Sequence, residues 1–134
     1  MSSGAGEVGR YGEDVACSYL VEQGYRVLAR NWRTRQGEID IVCSRDGELV
    51  FVEVKFRGSG SLGEPGEAVD VRKKTRLVRA ACAYLSSKGL WETPSRFDFV
   101  GLRMHQDHVE VEHEKNVIDA SEIMGGSNTS WQPW

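Results

Sequence analysis

The chain has 134 residues, with 40% hydrophobic residues, 28% charged residues and a formal net charge of −3. This length fits one domain with a core of its own, and the composition is ordinary for a soluble globular chain. No apolar run approaches the roughly 18 residues that a membrane-spanning helix needs, and the polar N-terminus does not resemble a signal peptide. We therefore expect a cytoplasmic protein without membrane contact.

The charge is unevenly distributed along the chain. From Met104 onward acids outnumber Lys and Arg six to one, whereas the rest of the chain is slightly positive. Two basic runs lie at residues 26–35 and 72–79. Since a phosphate backbone responds to a local basic surface rather than to net charge, nucleic acid is not excluded as a partner.

Apolar residues at helical spacing predict a first helix over about residues 9–23, after a flexible N-terminus over residues 1–8. Glu13 falls on the first turn of this predicted helix, where an acid interacts favourably with the helix dipole. A strand is predicted over residues 25–32, followed by a basic corner. In this corner Arg33 and Arg35 could contact phosphate, although a solvated loop would have the same composition.

The strongest pattern is GEIDIVCSRDGELVFVEVKFR, residues 37–57. Two runs rich in Val, Ile and Phe flank Asp46-Gly47, which predicts a hairpin with a two-residue turn. In that register Asp40 lies opposite Glu53, and Lys55 lies on the same face of the hairpin. The other face is predicted to carry the apolar side chains Ile39, Ile41, Cys43, Val50, Val52, Val54 and Phe56.

Like charges placed opposite each other destabilise a sheet, so the pair Asp40 and Glu53 calls for a compensating positive charge. One or two carboxylates, completed by water and substrate phosphate, are typical of a Mg²⁺ site. Lys55 could then neutralise a phosphate or orient the attacking water. The alternative is a solvated polar face on which Lys55 screens both acids.

Residues 58–66 are rich in Gly and Pro and predict a flexible loop. An amphipathic pattern over about residues 67–88 predicts a second helix, with Arg72, Arg76 and Arg79 on one face and Lys73 at its edge. This face could follow a nucleic-acid backbone, or it could be a solvated helix face. Strands over 96–102 and 108–113, a short helix over 116–124 and a flexible tail over 120–134 complete the prediction, so that the domain spans residues 9–119.

Asp40 followed by Glu53-Val54-Lys55 resembles the D…(D/E)xK signature of the restriction-endonuclease-like (PD-(D/E)xK) nucleases, a superfamily that includes archaeal Holliday-junction resolvases. A longer set of positions, over about residues 9–103, resembles the YraN-like family of small bacterial proteins: Gly12-Glu13, Asn31, Gly37-Glu38-Ile39-Asp40, Phe51-Val52-Glu53-Val54-Lys55, Arg57, Lys73 and Arg96-Phe97-Asp98. The Pro that often precedes the first Asp of the signature is replaced by Ile39. The resemblance implies an α/β fold, with a mixed central sheet flanked by helices in the order α-β-β-β-α-β-β.

The resemblance also implies an endonuclease-like hydrolase that depends on Mg²⁺ or Mn²⁺ and acts on DNA, branched DNA included, or on structured RNA. Asp40, Glu53 and the backbone carbonyl of Val54 would hold the ion, with Glu13 assisting from the first helix and Lys55 as the catalytic lysine. Asp98 could order the site by hydrogen bonding. The predicted contacts with nucleic acid are Arg33, Arg35, Arg57, Lys73 and Arg76.

Action on a symmetric junction would call for a homodimer. Two other functions remain open. One is a nucleic-acid-binding module of the same fold without turnover, and the other is a protein-interaction domain that uses the acidic C-terminal part of the chain.

Overall fold

The structure is a computed structural model that describes residues 3–57 and 71–120, with side chains placed from Arg10 to Phe56 and from Val71 to Ala120. These residues form a mixed α/β fold whose element order matches the prediction. The elements are α1 (Ser3–Glu22), β1 (Arg26–Arg33), β2 (Glu38–Arg45), β3 (Glu48–Arg57), α2 (Val71–Lys88), β4 (Ser95–Met104) and β5 (Val109–Glu114).

The five strands form one sheet in the order β1-β2-β3-β4-β5. Neighbouring strands are antiparallel except β3 and β4, which are parallel and are separated in sequence by α2. A parallel pair needs a crossover connection, and the helical pattern after β3 supplies one. The prediction of a mixed sheet flanked by helices is therefore confirmed.

The hairpin of β2 and β3 has the predicted two-residue turn. Asp46 and Gly47 both have positive φ, 56° and 82°, as a tight hairpin turn with the twist of the strands requires. Arg45 pairs with Glu48, and the register continues to Ile41 and Val52, where the paired residues end. Asp40 and Glu53 thus lie just beyond the last pair of this ladder.

The two helices cover opposite faces of the sheet. α1 packs Ala16 and Leu20 against one face, together with Ile41, Cys43, Val50, Val52, Val100 and Leu102. α2 packs against the other face, where the buried strand residues include Val42, Leu49, Phe51, Phe97 and Phe99. The prediction of one apolar and one charged hairpin face was therefore wrong along most of the strands, because both faces are buried. The predicted charged cluster occupies only the end remote from the turn: Glu38, Asp40, Glu53 and Lys55.

The predicted alternation also fails at Ile39, which packs on the α2 face while Ile41 packs on the α1 face. The neighbouring strand explains the change. Asn31 has a φ of 52°, outside the extended region, and successive side chains Arg30 and Asn31 both bond to residues of α1. Trp32 then packs on the α2 face beside its partner Ile39. Asp40 lies at the point where β2 changes faces.

α1 begins at Ser3, earlier than predicted, so Glu13 lies in the middle of the helix rather than on its first turn. The interpretation of Glu13 as an acid at the positive end of the helix dipole is therefore wrong. α2 is described from Val71. The predicted start of the second helix at 67–70, the loop over 58–66 and residues 121–134 lie outside the described residues. Residues 116–119 are not helical, so the prediction that a short helix begins at residue 116 was wrong. Neither described helix is both long and apolar enough to span a membrane.

Candidate functional site

The end of the β2–β3 hairpin that is remote from its turn forms one wall of a cleft of about 430 Å³, and the first turns of α2 form the other. The lining residues are Glu38, Asp40 and Glu53 from the strands and Arg72, Lys73, Arg76 and Leu77 from the helix. The cleft thus sets three acids against three bases. Asp40, Glu53, Lys73 and Arg76, predicted from separate parts of the sequence, are brought together here.

Gly37 is the reason that α2 lies so close to the start of β2. A Cβ atom at this position would lie 2.5 Å from the backbone oxygen of Arg76, a distance that real Cβ atoms do not adopt. Only glycine therefore permits this contact between the strand and the helix backbone. The contact fixes the basic residues of α2 above the carboxylates of the hairpin.

The carboxylate of Asp40 is tied to the neighbouring strand. Its Oδ2 accepts a hydrogen bond of 2.8 Å from the backbone N–H of Val54. Burial, and next the charge of Glu53, raise the pKa of Asp40 to about 7, although the bond from Val54 acts in the opposite direction. Asp40 is therefore an acid in an unfavourable position, half-buried and close to a second acid.

Glu53 is one of two charged residues that are buried in the described part of the chain, with 8% of its surface exposed. Its Oε2 lies 2.9 Å from the Nζ of Lys73 on α2. Burial acts to lower the pKa of Lys73, but the hydrogen bond to Glu53 and the charges of Glu53 and Asp40 together act against it, so this pKa is raised. Glu53 and Lys73 form a charge-assisted pair that links β3 to α2.

Lys55 lies two residues further along β3 and is half-buried. Its Nζ is 5.6 Å from the centre of the Phe99 ring, a distance at which a cation and an aromatic face attract each other. Burial, followed by the charge of Lys73, lowers the pKa of Lys55. The group is thus closer than an ordinary lysine to exchanging a proton near neutral pH.

Glu13 reaches the same end of the sheet from α1, but it does not line the cleft. Its Oε1 accepts a 2.7 Å hydrogen bond from the Nδ2 of Asn31 and lies 3.5 Å from Arg30. The charge of Glu13 nevertheless contributes to the raised pKa of Asp40. Gly12, whose missing side chain leaves room for the ring of Phe56, allows this turn of α1 to approach β3 closely.

The other predicted contacts with nucleic acid lie outside the cleft. Arg33 is exposed at the end of β1 and lies 3.3 Å from Glu38, which does line it. Arg35 is exposed in the turn between β1 and β2. Arg57 is the last residue of β3, and its side chain lies outside the described residues.

Asp98 belongs to a different site. Its carboxylate accepts hydrogen bonds from Arg96 at 2.9 Å and from the backbone N–H of Asn116 at 3.0 Å, and it lies 2.7 Å from the Nε2 of His113. Burial acts to raise the pKa of Asp98, but these hydrogen bonds outweigh it and lower the pKa. None of these residues lines the cleft, so Asp98 orders the β4–β5 side of the sheet rather than the acidic site.

Arg72 and Asn31 contribute to the site, although no role there was predicted for either of them from the sequence. Arg72 was assigned to the basic helix face but not to the site, although its spacing of four residues from Arg76 places both on one helix face. Asn31, which holds Glu13, could not have been found from strand alternation, because its left-handed backbone interrupts that alternation.

The donor set fits a divalent cation that is only partly held by protein. Asp40 and Glu53 provide hard oxygen atoms in one cleft, and a cation there would offset the repulsion between the two acids. Within residues 10–56 and 71–120, however, no three acid, histidine or cysteine side chains converge as a metal site. Such a pair suits Mg²⁺ with water and substrate oxygens in the remaining positions, rather than an all-protein cage.

Comparison with known proteins identifies the family. UPF0102 proteins from Nitratidesulfovibrio vulgaris, Carboxydothermus hydrogenoformans and Syntrophotalea carbinolica are similar along most of the chain. They are 41% identical over 126 residues (94% of this chain and 94% of the relative), 42% over 114 residues (84% and 96%) and 45% over 112 residues (84% and 91%). The model of the uncharacterised protein family UPF0102 matches residues 12–102, from Gly12 in α1 to Leu102 in β4. The chain therefore belongs to the UPF0102 family.

Proposed function

We propose that this protein is a metal-dependent phosphodiester hydrolase that acts on nucleic acid, with DNA favoured over RNA. The observation that carries the proposal is the cleft in which Asp40 and Glu53 lie side by side below three basic residues of α2. Carboxylates facing a phosphate would repel it, so a pure phosphate-binding surface gains nothing from them. Together with a divalent cation, the same acids favour phosphate binding and hydrolysis.

Asp40 and Glu53 would hold the cation, with the backbone carbonyl of Val54 as a third oxygen. When bound, Mg²⁺ or Mn²⁺ would supply the positive charge that acidifies the attacking water and stabilises the charge developing on the phosphate. Glu13 would act from the side of α1 by adding negative charge to the site. The hydrogen bond from Val54 to Asp40 would keep that carboxylate oriented between the strands.

Lys55 would position the attacking water or a nonbridging phosphate oxygen. Its lowered pKa, caused by burial and by Lys73, suits a group that exchanges protons during the reaction. Arg72 and Arg76 would hold the phosphate from the opposite wall of the cleft. No covalent intermediate between protein and substrate is required.

The spacing of Asp40 and Glu53-Val54-Lys55 supports the proposal, since it is similar to the D…(D/E)xK signature of the restriction-endonuclease-like nucleases. Archaeal Holliday-junction resolvases, which carry this signature, suggest branched DNA as the first substrate to test. Two-fold symmetric cleavage would then require a homodimer.

The test is a calorimetric titration of the full chain with Mn²⁺, followed by a cleavage assay on labelled branched and linear DNA. We expect Asp40→Asn and Glu53→Gln to abolish metal binding and to lower cleavage by about a hundredfold or more, because even the outer partners of metal ligands typically contribute about 10- to 100-fold. Asp107→Asn, a matched change at an exposed acid remote from the cleft, should leave both unchanged. Metal-dependent cleavage that survives in a folded Asp40→Asn protein would refute the assignment.

A specific observation favours a second candidate, a nucleic-acid-binding module without turnover. Lys73 already neutralises Glu53, as it would if the acids had only a structural role. This candidate predicts that DNA binds without metal and that the calorimetric titration shows no Mn²⁺ binding. It also predicts that Asp40→Asn binds DNA at least as tightly as the wild type, because a negative charge is removed.

A further inference from the structure

We propose that Lys73 is an exchangeable counter-ion of the site: its ammonium group holds Glu53 while no metal is bound and leaves Glu53 when a divalent cation binds. This inference rests on the proposed function, since it requires Asp40 and Glu53 to be the metal ligands. The new element is that the ammonium group of Lys73 and the metal ion compete for the carboxylate of Glu53.

The two partners of the ion pair differ in how firmly they are held. The side chain of Glu53 is 11% exposed and lies on a central strand, whereas that of Lys73 is 51% exposed on a helix. Leu77, one turn further along α2, is buried in the core and anchors the helix. The lysine side chain can therefore swing away without movement of the backbone, while the carboxylate cannot follow it.

One lysine does not balance the charge of the acidic pair. Asp40 and Glu53 together can carry two negative charges, whereas Lys73 carries one positive charge, and its ammonium group lies 2.9 Å from Glu53. A divalent cation balances both acids at once. The exchange of Lys73 for such a cation therefore gives the carboxylates a better match in charge.

Lys73 would be repelled once a cation occupies the carboxylates. It also lies near a second ammonium group, that of Lys55 on β3. After release, its positive charge would join those of Arg72 and Arg76 along the same wall of the cleft. Metal binding would thus make this wall more attractive to a phosphate group, which couples metal binding to substrate binding.

The test compares Lys73→Gln with Lys74→Gln by calorimetric titration with Mn²⁺ in the absence of nucleic acid. Both variants remove one positive charge from adjacent positions of α2, but Lys74 lines a different cavity, beside Val71, Thr75 and Asn116. We expect Mn²⁺ to bind about tenfold more tightly to Lys73→Gln than to the wild type, because the competitor is gone. The Mn²⁺ affinity of Lys74→Gln should stay within about twofold of that of the wild type. Lys73→Arg retains the ion pair with Glu53, so its Mn²⁺ affinity should be close to that of the wild type.

Thermal denaturation provides a second readout that does not depend on catalysis. Without metal, Lys73→Gln should unfold at a lower temperature than the wild type, because Glu53 loses its counter-ion, and Mn²⁺ should raise its unfolding temperature more than that of the wild type. If Lys73→Gln binds Mn²⁺ no more tightly than the wild type does, the exchange is refuted while the proposed function stands. If neither protein binds Mn²⁺, both are refuted.

Discussion

The carboxyl group of Asp40 lies in an electrostatically unfavourable position in the cleft. The carboxyl of Asp40 is half-buried beside a second acid, which brings its pKa from the ordinary value of 3.8 to about 7. An acid with a raised pKa in the folded state binds more protons there than in the unfolded state at intermediate pH. The contribution of Asp40 to stability is therefore lost as the pH rises from about 4 to about 7, and it is constant above that range.

Asp40→Asn should accordingly be more stable than the wild type at pH 8, by a few kcal/mol at most, since one pKa unit corresponds to about 1.4 kcal/mol. The amide oxygen can still accept the N–H of Val54. Near pH 4 the two proteins should unfold at similar urea concentrations. Urea denaturation between pH 4 and pH 8 measures the difference, and Asp107→Asn serves as the control. A difference that does not grow between pH 4 and pH 7 would contradict the raised pKa.

Asp98 differs from Asp40 in that it is a buried acid whose carboxylate is fully hydrogen-bonded and whose pKa is lowered. Arg96 also bonds to Glu48 at 2.6 Å and to the hydroxyl of Tyr25 at 2.8 Å, so that one network joins the starts of β1, β3 and β4. Removing one partner of a buried ion pair leaves the other charge uncompensated.

We expect Asp98→Asn to lower the free energy of unfolding by about 3 kcal/mol, measured by urea denaturation at pH 7. Its affinity for Mn²⁺, measured by calorimetry below the unfolding temperature, should match that of the wild type. A changed metal affinity in the folded variant would show that Asp98 acts on the cleft after all.

At the scale of the elements, the two glycines near the site differ in what surrounds them. A Cβ atom at Gly37 would meet the backbone of α2, whereas one at Gly12 would meet the ring of Phe56. A partly exposed ring can rotate, but a helix backbone packed on the sheet cannot move without loss of core contacts.

Gly37→Ala should therefore destabilise the fold by about 1–3 kcal/mol, and it should also weaken Mn²⁺ and DNA binding because α2 is displaced. Gly12→Ala should destabilise the fold less than Gly37→Ala does. Urea denaturation of the two variants, with calorimetry on the folded proteins, compares them directly. Equal losses of unfolding free energy in the two variants would mean that the contact between Gly37 and Arg76 is not tight in solution.

Features of the fold that depend only on residues close together in the chain could be predicted from the sequence. The turn at Asp46-Gly47 sets the register of the hairpin by itself, and so the positions of Asp40 and Glu53 near each other could be predicted. The face on which Ile39 packs could not, because it depends on Asn31, whose side chain is held by the distant Glu13. The pair between Lys73 and Glu53 joins a helix to a strand whose relative position is set by Gly37, and no periodicity encodes that contact.

At the scale of the whole molecule, charge is separated across the sheet. Basic residues of α2 lie over β2, near one edge, whereas β5 at the opposite edge carries Glu110, Glu112 and Glu114. A polyanion should therefore approach from the side of α2 despite the net charge of −3.

If nucleic acid binds there, its affinity should fall steeply with added salt, because phosphate contacts release counterions. Arg76→Met should weaken binding and reduce the slope of log affinity against log salt by about one. Arg79→Met, on an exposed position of the same helix outside the cleft lining, should change the slope less. Fluorescence anisotropy with labelled DNA at several salt concentrations measures both, and equal effects would place the phosphate elsewhere.

The parallel pairing of β3 with β4 also has a consequence for the order of folding. Asp40 and Glu53 lie on one hairpin, which can close within microseconds, whereas Lys73 arrives only when the crossover through α2 has packed. The two acids should therefore meet before their counter-ion does. We expect Lys73→Gln to accelerate unfolding and to leave the refolding rate nearly unchanged, as stopped-flow kinetics in urea can measure.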